Sequence, residues 1–159
     1  MVSNLKTLRI IMANVEVKVY NESSNLLPIY TTAGAAAMDV CSNEEVVLHP
    51  DERKLVHTGL FMEIPEGYKI NVLPRSGFAI KQGVTVLNAP GLIDHDYRGE
   101  LMVILINHGK EVVDIRLGDR VAQIEIAPVY KVQWKIAGAK KDLSKTDRGT
   151  GGMGSTGVK

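Results

Sequence analysis

The sequence predicts an all-β fold, a jelly-roll-like β-sandwich or barrel with one short helix and a mobile glycine-rich C-terminal tail. Three observations predict it. Short segments with period-two apolar alternation recur along most of the chain, the pattern of strands with one buried face. Turn-forming residues separate them at short intervals, and only one stretch has the makings of a helix.

In order, residues 15–20 read Val-Glu-Val-Lys-Val-Tyr and form the first predicted strand. Further strands are predicted at 46–48, 54–57, 60–64, 68–73, 101–106, 112–116, 121–127 and 132–136. His49-Pro50-Asp51, Pro65-Glu66-Gly67, Asn107-His108-Gly109 and Leu117-Gly118-Asp119 supply turns between them. The helix is predicted over 76–81, with Gly83 placed to end it. After Gly138 the chain turns glycine-rich, from Arg148-Gly149-Thr150-Gly151-Gly152 to Met153-Gly154-Ser155-Thr156-Gly157. So much glycine costs backbone entropy that the segment has nothing of its own to offset. The expected organisation is therefore a disordered extension over 1–12, a β domain over 13–138 and a flexible arm over 139–159.

The 159 residues suit a single domain. Lys+Arg 19 against Asp+Glu 18 leaves a formal charge of +1, so bulk attraction to nucleic acid or to a membrane surface is not expected. Cys41 is the only cysteine, which excludes an intrachain disulfide and a cysteine-based zinc site. A reducing intracellular compartment, cytoplasmic or nuclear, is the expectation. No apolar run approaches the roughly 20 residues of a membrane span. Residues 1–12 are basic and free of acids but carry no cleavage signal, so organelle targeting is not expected.

Three clusters can carry chemistry. In the tail, Arg148 offers a planar fork for phosphate, the glycines allow backbone amides close to an anion, and Ser155 and Thr156 add hydroxyls; the bland alternative is a flexible terminus. No Lys-Ser or Lys-Thr pair follows the glycines, so this is not a Walker loop. In Pro74-Arg75-Ser76-Gly77, Ser76 at the mouth of the helix reads either as its N-cap or as part of an anion site. In the stretch from Asn88 to Glu100, Asp94, Asp96 and Glu100 lack calcium-loop spacing. They read either as a solvated acidic tip or as the source of one general base. His49, His57, His95 and His108 show no ligand spacing, and no serine-hydrolase elbow occurs.

Taken together, 33–40, 74–83, 88–100, 120–124 and 148–157 resemble, in order, the five motifs of the trimeric deoxyuridine triphosphatase family. The resemblance implies hydrolysis of dUTP to dUMP and pyrophosphate, which keeps uracil out of DNA and supplies dUMP for thymidylate synthesis. It implies that Asp94 activates the attacking water and that Asp39 serves Mg2+ through coordinated water. Tyr97 would pack on deoxyribose and exclude a 2′-hydroxyl, and Asn88, with backbone near Gly91, Ile93 and Met102, would read uracil. Arg75, Ser76, Gly77 and Gln123 would hold phosphates and water, and Arg148, Gly152, Met153, Ser155 and Thr156 would close over the substrate. The implied assembly is a homotrimer with shared sites.

Two positions depart from the family pattern. Met153 stands where phenylalanine is usual, which predicts weaker closure, and an alanine run precedes Asp39 in place of an Ala-Gly pair. A deoxycytidine triphosphate deaminase shares the expected fold, but residues 94–99 resemble the triphosphatase. A nucleotide-responsive binding protein is the other alternative, with no candidate catalytic position disabled.

Overall fold

The computed structural model describes residues 14–152, which fall into two compact units divided between Val129 and Tyr130. The first unit holds every strand and the α-helix among the described residues. One antiparallel sheet has the order β1-β4-β8-β6, built from Lys18–Asn21, Arg53–Glu63, Glu100–Asn107 and Val84–Val86. A second has the order β2-β10-β5-β7, from Met38–Cys41, Arg120–Pro128, Tyr68–Leu73 and Gly91–Ile93. β3 (Val46–Leu48) pairs with β9 (Val113–Ile115) in a two-stranded sheet.

Alternation along β8 shows why these residues make a sandwich. Leu101, Val103 and Leu105 are buried while their neighbours are half-buried, so one face of the strand joins the core. They share that core with Val56 and Leu60 of β4, Val40 of β2, Ile70 and Val72 of β5, and Val121 and Ile124 of β10. The sheets are open ones, so of the predicted sandwich or barrel the chain forms the sandwich-like arrangement, without barrel closure among the described residues.

The strand at 68–73 and the turns at Gly67 and Gly118, both at positive φ, stand as the sequence predicts. The helix, α1, spans Ser76–Gln82 and ends at Gly83, whose φ of 72° is left-handed. Three expectations need correction, and three strands were not foreseen. The strands predicted at 54–57 and 60–64 are one strand, β4, continuous through a register shift between His57 and Leu60. The first strand begins at Lys18, opposite Glu63, and residues 15–17 lie beyond the last residue of β4, with no partner to extend the ladder. Residues 132–136 form no strand: Val132, Trp134 and Ile136 are largely exposed, and alternation without a neighbouring strand satisfies no backbone group. The short β2, β6 and β7 carry too few residues to announce a period.

The second unit contains a 3-10 turn at Lys140–Asp142, where the Asp142 carboxylate accepts a 2.9 Å hydrogen bond from the Ala139 amide. Tight turns continue at Gly149, which donates to Thr146 O at 3.0 Å, and at Gly151, which donates to Arg148 O at 3.0 Å. Among the described residues, no helix is long and apolar enough to cross a membrane.

Candidate active site

Strand register brings the first group together. In the β2–β10–β5 ladder Gln123 lies opposite both Asp39 and Leu73, which puts Asp39, Gln123 and the exit of β5 side by side. Two residues past Leu73, Arg75 turns back: its Nε donates to Asp39 Oδ1 at 2.8 Å, and its Nη1 donates to Arg120 O at 3.0 Å. Arg120 Nη1 donates to Asp39 Oδ2 at 3.2 Å. Asp39 is thus held by two guanidinium groups, with only 16% of its side chain exposed, whereas Arg120 is 56% exposed. Two cations against one carboxylate leave an excess of positive charge facing solvent, and the planar forks suit phosphate oxygens. Partial burial, with the Asp39 charge, pushes the nearby Cys41 thiol up, so it is held protonated rather than as a nucleophilic thiolate.

Ser76 and Gly77 open α1 and are exposed. The capping alternative for Ser76 fails: Arg75 is the N-cap residue, in extended conformation, and no side chain caps the helix. The Ser76 hydroxyl is therefore not spent on the helix end.

The second group lies on the β6–β7–β8 connections. The Leu87 amide donates to Ile104 O at 2.8 Å and the Ala89 amide to Val86 O at 3.2 Å, fixing the turn that carries Asn88 ahead of a cis Ala89–Pro90 bond. Gly91 is buried opposite Val72, and a Cβ there would come within 3.2 Å of Val72 Cβ and 3.3 Å of Asn88 Nδ2. The Asn88 amide thus stands directly over bare backbone. Ile93 and Met102 are half-buried, on β7 and β8. Asp94 follows β7 and is exposed, without an ion pair among the described residues. The Tyr97 amide donates to Asp94 O at 3.2 Å, so Asp94 and Tyr97 are the first and last residues of one turn. The Tyr97 hydroxyl donates to Glu100 O at 3.0 Å, and the ring is 40% exposed.

Asp94, Asp96 and Glu100 do not converge. The Glu100 carboxylate turns to β4 instead, accepting from the Thr58 amide at 3.0 Å, the Gly59 amide at 2.7 Å and His57 Nδ1 at 2.7 Å. Burial alone would raise Glu100; the bonds from His57, Gly59 and Thr58 and the His57 charge together outweigh it, leaving the carboxyl below the usual glutamate range. The bond to Glu100 holds His57 above the usual histidine value, aided by the charges of Glu100 and Glu44 and against slight burial.

No group of three or more metal-ligating side chains occurs among the described residues. A lone carboxylate already paired with arginines does not make an all-protein cage. Such a carboxylate would suit the expected Mg2+ only as a contact through the ion's own water shell.

Register also shows what one chain does not bring together. Asp94 follows the end of β7 at Ile93, opposite Ile70, whereas Arg75 lies past the other end of β5. At a strand rise of about 3.3 Å per residue the two are separated by roughly 15–20 Å along the sheet. Arg148 and Gly152 belong to the second unit, where Arg148 Nε donates to Gly151 O at 2.8 Å. Met153, Ser155 and Thr156 lie outside the described residues, as do residues 1–12. Sequence reasoning assigned no role to Arg120; the signal was there in its position three residues before Gln123, at the start of the strand beside Asp39.

A dUTPase family model matches residues 23–157. The deoxyuridine 5'-triphosphate nucleotidohydrolase of Hydrogenobaculum sp. is 54% identical over 84% of this chain and 91% of its own length. That of Nautilia profundicola is 50% identical over 90% and 98%. Among solved structures, the Staphylococcus bacteriophage 80alpha dUTPase with dUpNHpp is similar at TM-score 0.79 and 27% identity, covering 90% of this chain and 99% of that one. A dUTPase variant from phage phi11 of S. aureus, described with a structural Mg(II) ion, is similar at TM-score 0.70 and 25% identity over 79% and 99%. With the same fold, a half-identical sequence and a matching family model, the chain belongs to the dUTPase family.

Proposed function

We propose that this chain is a hydrolase that converts dUTP to dUMP and pyrophosphate. The observation that carries the reading is the Asp94–Tyr97 turn, which presents an exposed carboxylate, without an ion pair among the described residues, and a phenol from one tight turn between β7 and β8. Asp94 orients a water and accepts its proton as the oxygen attacks the α-phosphorus in line; the bond from that phosphorus to the bridging oxygen breaks, and pyrophosphate leaves. Arg75, Ser76 and Gly77, with Gln123, hold the phosphates and the water. Mg2+, contacted by Asp39 through water, would offset charge on the triphosphate when bound.

Asn88 and the backbone near Gly91, Ile93 and Met102 read uracil. Close packing of Asn88 on the bare backbone of Gly91 leaves its amide little room to shift, which supports selection among bases by hydrogen bonding. Tyr97 covers the position that a 2′-hydroxyl would need. Residues 139–159 serve as an arm whose Arg148, Gly152, Met153, Ser155 and Thr156 close over the substrate.

The site is shared in a homotrimer. The register gap between Asp94 and Arg75 supports this, because one chain does not bring its water-activating carboxylate to its own phosphate-binding arginine. Hydrolysis of dUTP in heavy-oxygen water tests the chemistry. The label is expected in dUMP; label in pyrophosphate instead would mean attack at the β-phosphorus and overturn the role given to Asp94.

A further inference from the structure

Glu100 does more than the acidic pattern suggested. Its Oε1 accepts from the Thr58 and Gly59 amides and its Oε2 pairs with His57 Nδ1, all within 3.0 Å. Its main-chain oxygen accepts the Tyr97 hydroxyl at 3.0 Å. Thr58 closes the circuit by donating its hydroxyl to Leu101 O. Only 17% of the Glu100 side chain is exposed.

One residue therefore ties the phenol on its main-chain side to the β4 bulge on its side-chain side. The turn from Asp94 to Gly99 has few other ties. Within it the Tyr97 amide meets Asp94 O, and the exposed Arg98 guanidinium donates to His95 O at 2.7 Å and Tyr97 O at 3.0 Å. Those bonds shape the turn without anchoring it to a sheet. Gly99 must stay bare, because a Cβ there would collide with the Tyr97 ring and hydroxyl. The phenol is thus packed on the backbone just before Glu100, and its height above the sheet follows wherever Glu100 is held.

We infer that Glu100 is a positioning residue for sugar selection: by locking its strand end onto the Thr58–Gly59 bulge, it fixes the Tyr97 phenol where a ribose 2′-hydroxyl would have to go. The inference rests on the proposed role of Tyr97. A discriminator that excludes one oxygen atom works only if it cannot retreat by an ångström or so, since an unsecured ring yields to the larger sugar. The carboxylate supplies that security through three hydrogen bonds, at least two of them from backbone that cannot move independently of the sheet.

The test compares kcat/KM for dUTP and for UTP in wild type, Glu100→Ala, Glu100→Gln, Glu100→Asp and Tyr97→Ala, with a thermal melt of each. Glu100→Ala is expected to narrow the preference for dUTP by about tenfold, chiefly through a raised kcat/KM for UTP with that for dUTP little changed. Glu100→Gln still offers an oxygen to the two amides and is expected to keep the preference within about threefold of wild type. Glu100→Asp, drawn back by one methylene, is expected to narrow it as the alanine does, and reads the same role should Glu100→Ala fail to fold. A lowered melting temperature with unchanged preference in Glu100→Ala or Glu100→Asp makes Glu100 merely structural and overturns the inference. Tyr97→Ala separates the two layers. If it narrows the preference while the Glu100 variants do not, only the inference fails; if it does not, the reading of Tyr97 fails and the inference falls with it.

Discussion

Asp39 shows how a single residue can be located by sequence and understood only in structure. The family resemblance assigned it to Mg2+ through coordinated water, but nothing in the motif reveals that both its oxygens are held by guanidinium groups of Arg75 and Arg120. Those partners come from β5's exit and from the start of β10, and only strand register makes them neighbours. Asn107 is a similar case. Sequence placed it at the start of a turn triplet, whereas it is the last residue of β8 and fully buried, and its Nδ2 donates to Leu48 O at 3.0 Å and Glu111 O at 2.8 Å while Oδ1 accepts from the Gly109 amide at 2.8 Å. Removing it leaves buried backbone groups without partners, so Asn107→Ala is expected to cost at least about 2 kcal/mol in denaturant unfolding. An unchanged midpoint would mean that water replaces all three bonds.

The His57–Glu100 pair makes a pH prediction at the same scale. His57 is raised in the folded protein, so its contribution is full below its ordinary value of 6.5 and fades as pH rises through the raised value. Glu100 is lowered, so its contribution is full above its ordinary value of 4.5 and fades as pH falls through the lowered one. The stabilisation should therefore be greatest between those two values. Thermal melts of wild type and His57→Gln are expected to differ most there and to converge at alkaline pH; a constant difference would show that His57 acts through packing. With the His57 side chain half-exposed, the difference should be small.

Among the elements, β4 is the one that sequence divided and structure joined. Sequence ended one strand at His57 and began another at Leu60, with Gly59 in the gap. The structure keeps the strand and absorbs the glycine in a bulge at φ 70°, where a Cβ would come within 2.9 Å of the Ser23 backbone and Cβ. Gly59→Ala is expected to destabilise by more than about 1 kcal/mol, and to disturb the amide that Glu100 accepts. Equal stability in a chemical melt would contradict this account of the bulge. Elements that need only local information, such as β5 and the α1 stop at Gly83, were legible because period and turn chemistry suffice. Residues 132–136 show the converse: alternation predicts a strand, but a strand also needs a partner, and none is present in the described chain.

For the whole molecule, the fold class followed from recurrent short strands, but the pairing order β2-β10-β5-β7 did not, because neighbours so distant in sequence leave no local signal. That order sets Asp94 and Arg75 at opposite ends of the β5–β7 pair and motivates the shared-site model. Light scattering is expected to give three times the chain mass of 17.4 kDa, and a monomer that turns over dUTP would overturn the sharing of sites between chains.

The most direct test of the central claim is pyrophosphate release from dUTP with magnesium, run beside dTTP, dCTP and UTP, for wild type and for Asp94→Asn. The account predicts release from dUTP far above the other three, lowered by about 10²–10⁴-fold in the variant with its fold intact. Ammonia release from dCTP, no release from folded protein, or an Asp94→Asn variant as fast as wild type would contradict it.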